Sequence, residues 1–244
     1  MLKFGLVGCN ISYSFSRKYF SEKFSNEGIN ATYENFDLQD INEFPEVLAK
    51  NPELKGLNVT IPYKEAIFPF LDSLDVTAQK IGAVNTIKVK RNGSLTGYNT
   101  DFFGFSEALK PFLKPHHKKA LILGTGGASK AVNYALNSLD IKTSLVSRSP
   151  SKSVISYQQL SKEILEEHTV IVNTTPLGTY PKVEEYPPLP VDYIGSRHLL
   201  FDLIYNPEQT ALMKLAAARG AMVLNGEKML EFQALKAWEI WNQD

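Results

Sequence analysis

Residues 119 to 136 read KALILGTGGASKAVNYAL, a buried-strand run, a glycine turn and then a helix. That order is what a dinucleotide-binding βαβ unit requires. Gly124 and Gly126 permit a tight turn and close backbone approach to a pyrophosphate. Ser129 occupies the third position, where a small residue lets helix and strand pack. The helix amino end then faces the anion with unpaired N–H groups. The same glycines also suit an ordinary turn, and the strand before and helix after are what favour the cofactor reading.

Working outward, the next strand, KTSLVSRSPSK from Lys142 to Lys152, ends about where a ribose-reading acid is expected, roughly 20 residues past the glycine loop. It offers Ser147, Arg148, Ser149 and Lys152 instead. No carboxylate is there to accept from a 2′-hydroxyl, whereas a guanidinium holds a 2′-phosphate through planar charged donors. NADP is therefore the expected cofactor; the plainer reading of Arg148 is a solvated loop residue. A later strand ends in VNTTPLG, residues 172 to 178, where Asn173, Thr174, Pro176 and Gly178 shape an irregular loop. Ligand binding and plain turn chemistry both fit it.

The rest of the chain repeats the alternation. KFGLVG, ATYENF, GLNVTI and AVNTIKV precede the glycine loop, and TVIVNT, LLFDLI and AMVLN follow it, with helical stretches between. The expected fold class is α/β with mostly parallel sheets. Apolar stripes on the intervening helices run through Tyr19, Phe20, Phe24 and Ile29, through Leu212, Leu215 and Ala216, and through Met229, Leu230, Ala234 and Leu235. KPFLKPHHKK, residues 110 to 119, has two prolines, four lysines and two histidines and reads as a linker. The expected division is a first domain over residues 1–101 joined by the closing helix 227–244, and a Rossmann-type domain over 102–226. Adjacent His116 and His117 lack metal-binding spacing, and His168 and His198 read as polar strand flanks, so no metal is expected.

The totals bound the function. The 244 residues suffice for one large or two modest cores without staples, and 26 basic residues balance 26 acidic ones. Neutrality argues against a nucleic-acid groove or a membrane-binding face. The lone Cys9 cannot form an internal bridge, which suits a reducing compartment, and it reads as a small buried thiol. Met1 leads straight into a strand pattern, without the features of a secretory leader, so a cytoplasmic protein is expected.

One lysine stands out in GLNVTIPYKEA, residues 56 to 66. Leu57, Val59 and Ile61 alternate with Asn58 and Thr60 as in a strand, Pro62 stops the ladder, and Lys64 to Leu71 read as the first turns of a helix. Lys64 thus lies at a strand-to-helix corner, where open α/β sheets place ligands. Position alone favours a solvated helix-start lysine over a functional one.

Ordered motifs run along nearly the whole chain: SYSFS (12–16), NVTIPYK (58–64), GAVNT (82–86), GYNTD (97–101), GTGGAS (124–129), SRS (147–149), NTTPLG (173–178), DLIYNP (202–207) and GEKMLEFQA (226–234). Together they resemble the shikimate dehydrogenase family. The resemblance implies that Lys64 and Asp101 form the catalytic pair and that Ser14 and Ser16 hold the substrate carboxylate. It further implies that Thr60, Asn85, Tyr205 and Gln233 surround the rest of the substrate. Gly124, Thr125, Gly126, Gly127, Ala128, Ser147, Arg148, Ser149, Lys152, Thr174, Gly226 and Met229 would hold NADP. The implied reaction is reversible NADPH-dependent reduction of 3-dehydroshikimate to shikimate, by a monomer or homodimer without nucleic-acid or membrane partners. The chain departs from the family pattern at Cys9 and Asn10, where Asn-Pro is usual, at Tyr13 for His, at Arg17 for Pro, and at Ser-Arg-Ser for Asn-Arg-Thr. A quinate/shikimate dehydrogenase and a noncatalytic NADP-binding regulatory module are the rival readings; paired serines, Arg148, Lys64 and Asp101 weigh against them.

Overall fold

The computed structural model describes residues 1–12, 14–149 and 151–243; Tyr13, one of the departures noted above, lies outside the described residues, as do Pro150 and Asp244. The chain forms two compact units, Met1–Phe103 with Phe232–Asp244, and Gly104–Glu231. Among the described residues no helix is long and apolar enough to cross a membrane.

The first unit runs β1 (Leu2–Gly8), α1 (Phe15–Asn26), β2 (Ala31–Asp37), α2 (Phe44–Lys50), β3 (Leu54–Val59), α3 (Tyr63–Ala66), β4 (Ser73–Leu74), α4 (Val76–Ile81), β5 (Thr86–Val89) and β6 (Leu95–Tyr98). Its sheet has the order β2-β1-β3-β5-β6-β4. β1 is parallel to β2 and β3, but β5 pairs antiparallel with both β3 and β6. Helix alternation alone predicts a more parallel sheet. The difference arises at Lys90–Ser94, where Lys90 N donates to Ser94 O at 2.9 Å and Gly93 takes φ +83°. A turn that short can close only an antiparallel pair, because a parallel one needs a crossover of a dozen residues or more.

Two local expectations fail here. The helix after Pro62 is a single turn, α3, followed by a 3₁₀ turn at Phe68–Phe70. Pro69 lacks the N–H that would continue the ladder to Glu65. Cys9 is half-buried rather than buried, because it follows the last residue of β1 in a turn where Asn10 has φ +57°.

The second unit takes in most of α5 (Asp101–Leu109), then β7 (Lys119–Leu123), α6 (Gly127–Ser138), β8 (Lys142–Ser147), β9 (Val154–Ser156), α7 (Lys162–Glu167), β10 (Val170–Asn173), β11 (Leu199–Asp202), α8 (Ala211–Ala217) and β12 (Met222–Leu224). The order is β12-β11-β10-β7-β8-β9, every pair parallel. This is the doubly wound order, with its reversal between β7 and β10, where ligands bind beyond the strand carboxyl ends. The glycine loop leaves β7 there and the NTTPLG stretch leaves β10. The α/β fold class expected from the alternation is the one observed.

Residues 110 to 118, read as a linker, lie inside this unit. The His117 ring pins the segment: its Nδ1 accepts from Lys114 N at 3.0 Å and its Nε2 lies 3.3 Å from Arg197 O. His168 and His198, read as flanks, are also buried, bonded to Ile164 O and Leu165 O respectively. The helix α9 (Glu227–Asn242) closes the chain. Its buried face runs through Met229, Gln233, Ala234, Ala237, Ile240 and Trp241. Leu235, expected in the stripe, is 42% exposed. It sits two residues beyond Gln233, roughly 200° around the helix.

Candidate active site

Aromatic packing fixes the first unit's site from beneath. Phe4, Phe20, Phe24, Tyr33, Ala234, Ala237 and Trp241 form one buried cluster. Trp241 Nε1 donates to Ile87 O at 3.0 Å, and its indole fills the space beside Gly56, where a Cβ would come within 2.2 Å of it. The end of α9 is thereby clamped to β3 and β5, which delivers buried Gln233 to the polar cluster described next.

Lys64 lies on α3, whose position is set by backbone bonds at both ends. Tyr63 N donates to Thr60 O at 2.9 Å, and Val84 N donates to Lys64 O at 2.8 Å. The Tyr63 hydroxyl donates to Leu38 O at 2.7 Å. Lys64 Nζ then donates to Asp101 Oδ2 at 2.7 Å, with the two side chains only 14% and 8% exposed. Asp101 opens α5, where the positive helix end suits a carboxylate. Asn99 fixes that start: its Oδ1 accepts from Asp101 N and Phe102 N at 3.1 and 3.3 Å, and its Nδ2 donates to Ala83 O at 2.9 Å.

Asn85 occupies the centre. Its Nδ2 donates to Asp101 Oδ1 at 2.9 Å and Thr100 Oγ1 at 3.0 Å, and its Oδ1 accepts from Thr100 N at 2.7 Å. Gln233 Oε1 is 3.5 Å from the same Nδ2 and 3.4 Å from Thr100 Oγ1. The network continues through residues the sequence motifs contain but did not single out. Thr86 Oγ1 donates to Asn85 Oδ1 at 3.1 Å, and Asn58 Nδ2 donates to Thr86 Oγ1 at 3.2 Å and Asn85 O at 3.3 Å. The Tyr33 hydroxyl donates to Asn58 Oδ1 at 2.8 Å. Leaving one such buried group unpaired costs about 1–3 kcal/mol. The buried side-chain polar atoms without a partner among the described residues are Thr32 Oγ1 and Asn35 Oδ1, and neither belongs to this network.

Lys64, Asp101, Asn85 and Gln233 are thus brought together. Thr60, half-buried, follows β3 one residue before Ile61, and Ser14 and Ser16 begin α1. Ser14 is the N-cap, its Oγ accepting from Arg17 N at 3.2 Å, which leaves its O–H available to an anion. Ser16 sits beside the Tyr33 phenol; burial raises that phenol's pKa, and the Ser16 hydroxyl partly opposes the rise. Asp37 secures the approach by accepting from Asn10 N and Ile11 N at 2.8 and 3.2 Å. Arg17 is exposed.

The second unit builds a different site. Gly124 has φ +111°, and a Cβ there would lie 2.7 Å from Thr174 Oγ1, so both conformation and space demand glycine. Thr174 is spent on this joint: its Oγ1 donates to Leu123 O at 2.7 Å. Gly126 is the N-cap of α6 with extended backbone, and a Cβ there would meet no protein atom within 4 Å. Protein packing therefore does not require that glycine; it keeps open the space in front of the helix amino end, as close backbone approach to a pyrophosphate needs. Thr125 is exposed, Gly127 and Ala128 are half-buried, and Ser129 Oγ donates to Gly126 O at 2.6 Å. At the end of β8, Ser147 Oγ accepts from Ser149 N at 3.2 Å. Arg148 and Lys152 are exposed and form no ion pair among the described residues. Open glycine turn, helix amino end and unpaired cations fit a phosphate-bearing dinucleotide.

Gly226 has a packing reason of its own, since a Cβ there would fall 2.0 Å from Leu203 O; Met229 is buried and Tyr205 half-buried. Asp202, fully buried, organises this loop region by accepting from Asn173 Nδ2 at 3.0 Å, Ile204 N at 3.1 Å and Thr210 Oγ1 at 2.7 Å. Burial pushes its carboxyl up to about 6, against those hydrogen bonds. No group of three or more His, Cys, Asp or Glu suited to a metal occurs among the described residues.

Comparison with known proteins bears on both sites. Residues 6–87 match the family model described as the shikimate dehydrogenase substrate binding domain. A shikimate dehydrogenase (NADP(+)) of Clostridium botulinum is 38% identical over 97% of this chain and 95% of its own length. The crystal structure of shikimate dehydrogenase from Aquifex aeolicus superposes with a TM-score of 0.88 at 36% identity, covering 99% of this chain and 92% of that one. That of Thermus thermophilus, in complex with NADP(H) and shikimate, does so with a TM-score of 0.88 at 31% identity, covering 99% and 94%.

Proposed function

The chain belongs to the shikimate dehydrogenase family, and we propose that it carries out reversible NADPH-dependent reduction of 3-dehydroshikimate to shikimate, with Lys64 and Asp101 as the catalytic pair. The observation that carries the assignment of the pair is the 2.7 Å contact of Lys64 Nζ with Asp101 Oδ2, held in a buried network of amides and hydroxyls. Bound NADPH supplies the hydride. The chain's own work is charge and proton handling. As alkoxide charge develops on the C3 oxygen, the Lys64 ammonium stabilises it and donates the proton, while Asp101 keeps the ammonium aimed. Fixed charge of this kind costs no reorganisation during reaction. In the oxidising direction the pair takes the proton back.

Ser14 and Ser16 donate to the substrate carboxylate, Thr60 and Gln233 bind ring hydroxyls, and Asn85 holds Asp101 in register. The substrate domain comprises residues 1–101 and 227–244, and the NADP domain residues 102–226. There the α6 amino end receives the pyrophosphate and Arg148, with Lys152, the 2′-phosphate. The enzyme works in the cytoplasm as a monomer or homodimer. Steady-state assay of shikimate and quinate, each with NADP⁺ and NAD⁺, tests this. The highest kcat/KM is expected for shikimate with NADP⁺. A preference for quinate or NAD⁺ would displace the specificity reading, and absence of turnover with all four pairs would favour a noncatalytic module.

A further inference from the structure

The hydrogen bonds around Asp101 have a fixed direction, and it can be traced to its origin. Asn58 is buried, and both ends of its amide are used: Nδ2 donates to Thr86 Oγ1 and Asn85 O, so Oδ1 must accept. The donor it accepts from is the Tyr33 hydroxyl, 2.8 Å away. With Asn58 Nδ2 facing Thr86, the single Thr86 proton is turned toward Asn85 Oδ1 at 3.1 Å and Thr100 Oγ1 at 3.2 Å; Asn85 Oδ1 also accepts from Thr100 N at 2.7 Å, and Asn85 Nδ2 is left for Asp101 Oδ1 at 2.9 Å. Tyr33 lies on β2 but also stacks on Phe20 of α1, ring centroids 4.9 Å apart at 13°, four residues beyond Ser16. Its phenol is therefore fixed both to the first turns of α1, which carry the serines, and to the head of the amide chain.

We propose that Tyr33 is a positioning residue that sets the polarity of the Asn58–Thr86–Asn85 chain, and through it the orientation of the Asp101 carboxylate that Lys64 faces. The inference rests on the functional reading above. Without the phenol hydroxyl, Asn58 Oδ1 becomes a buried acceptor with no donor, and its amide can satisfy that oxygen only by turning over to offer it to Thr86, at the loss of its bond to Asn85 O. The Thr86 proton then points back at Asn58, and Asn85 loses one of the bonds that orient it.

The test is Tyr33→Phe in the full-length enzyme, assayed with shikimate and NADP⁺. The expected result is kcat lowered about 3- to 10-fold with the KM for NADP⁺ within about twofold of wild type. In an Asn85→Ala background, where the chain is already cut, the same substitution should lower kcat by less than about twofold. Wild-type kcat in Tyr33→Phe, or the same fold loss in both backgrounds, would overturn the role. If Tyr33→Phe does not fold, Asn58→Asp takes its place. That side chain still accepts from Tyr33 but cannot donate to Thr86, so an equal loss of kcat is expected and an unchanged kcat overturns the proposal. Absence of shikimate turnover by the wild-type enzyme would instead sink the functional reading on which the test stands.

Discussion

Around Lys64, the first unit satisfies its polar groups internally: the lysine meets Asp101, Asp101 meets Asn85, and the chain of donors continues to Tyr33. At the ends of β7 and β8, the second unit does the reverse, leaving Gly126 facing open space and Arg148 and Lys152 exposed without ion pairs among the described residues. A group that must act on a reacting oxygen gains from being held before substrate arrives, since its orientation need not be bought during reaction. A group that only grips a phosphate can stay solvated, because the ligand brings the counter-charge.

That contrast can be broken most severely at Lys64. Lys64→Ala should lower kcat by about 10²- to 10⁴-fold, with NADPH affinity measured by fluorescence titration close to wild type. Near-normal turnover would mean that the internally paired site is structural. Arg148→Ala probes the other unit. Loss of a charged hydrogen-bonding partner, worth about 1.5–3 kcal/mol, should raise the KM for NADPH roughly 10- to 100-fold while leaving that for NADH nearly unchanged. The NADPH effect should shrink as salt rises, whereas the Lys64 effect should not. Equal losses with both cofactors would remove the 2′-phosphate argument.

The smallest expected effect sharpens the contrast from within the second unit, where Asp202 is an internally satisfied carboxylate like those of the first. Burial raises its pKa from the ordinary 3.8 to about 6. Between those values the folded protein binds more protons than the unfolded chain, so stability from this group is greatest at the acid end and falls as pH rises through about 6. Asp202→Asn should remove that decline. Denaturation from pH 4 to pH 6.5 should then show the wild type losing on the order of 1 kcal/mol relative to the variant. Parallel stability profiles would contradict it.

How far these regions could be read from the sequence differs for physical reasons. The second unit was legible from residues alone, because a run such as ALIL between Lys119 and Gly124 is buried on both faces and the glycine turn has a distinctive conformational need. The Lys64–Asp101 pair was legible only through the family resemblance. Thirty-seven positions separate the two residues, and no local periodicity reports a contact at that range. Tyr33, Asn58 and Thr86 escaped notice because a polar residue alternating with apolar ones in a strand looks like a solvated face. Here that face is covered, and Asn58 and Thr86 are buried. The overlong helix after Pro62 shows the complementary error, a helix-start signal followed too far past the proline that ends it.

The clamp of Trp241 over Gly56 also has a consequence in time. Phe4, Phe20 and Phe24 belong to a cluster completed by Trp241, which lies beyond the whole of Gly104–Glu231 in the chain. At roughly 5–20 residues per second of synthesis, the first hundred residues wait on the order of ten seconds for the segment that covers their aromatic face. A ribosome-bound chain in that interval presents these rings to solvent or to a chaperone, while the intervening unit has all its own strands and can fold first.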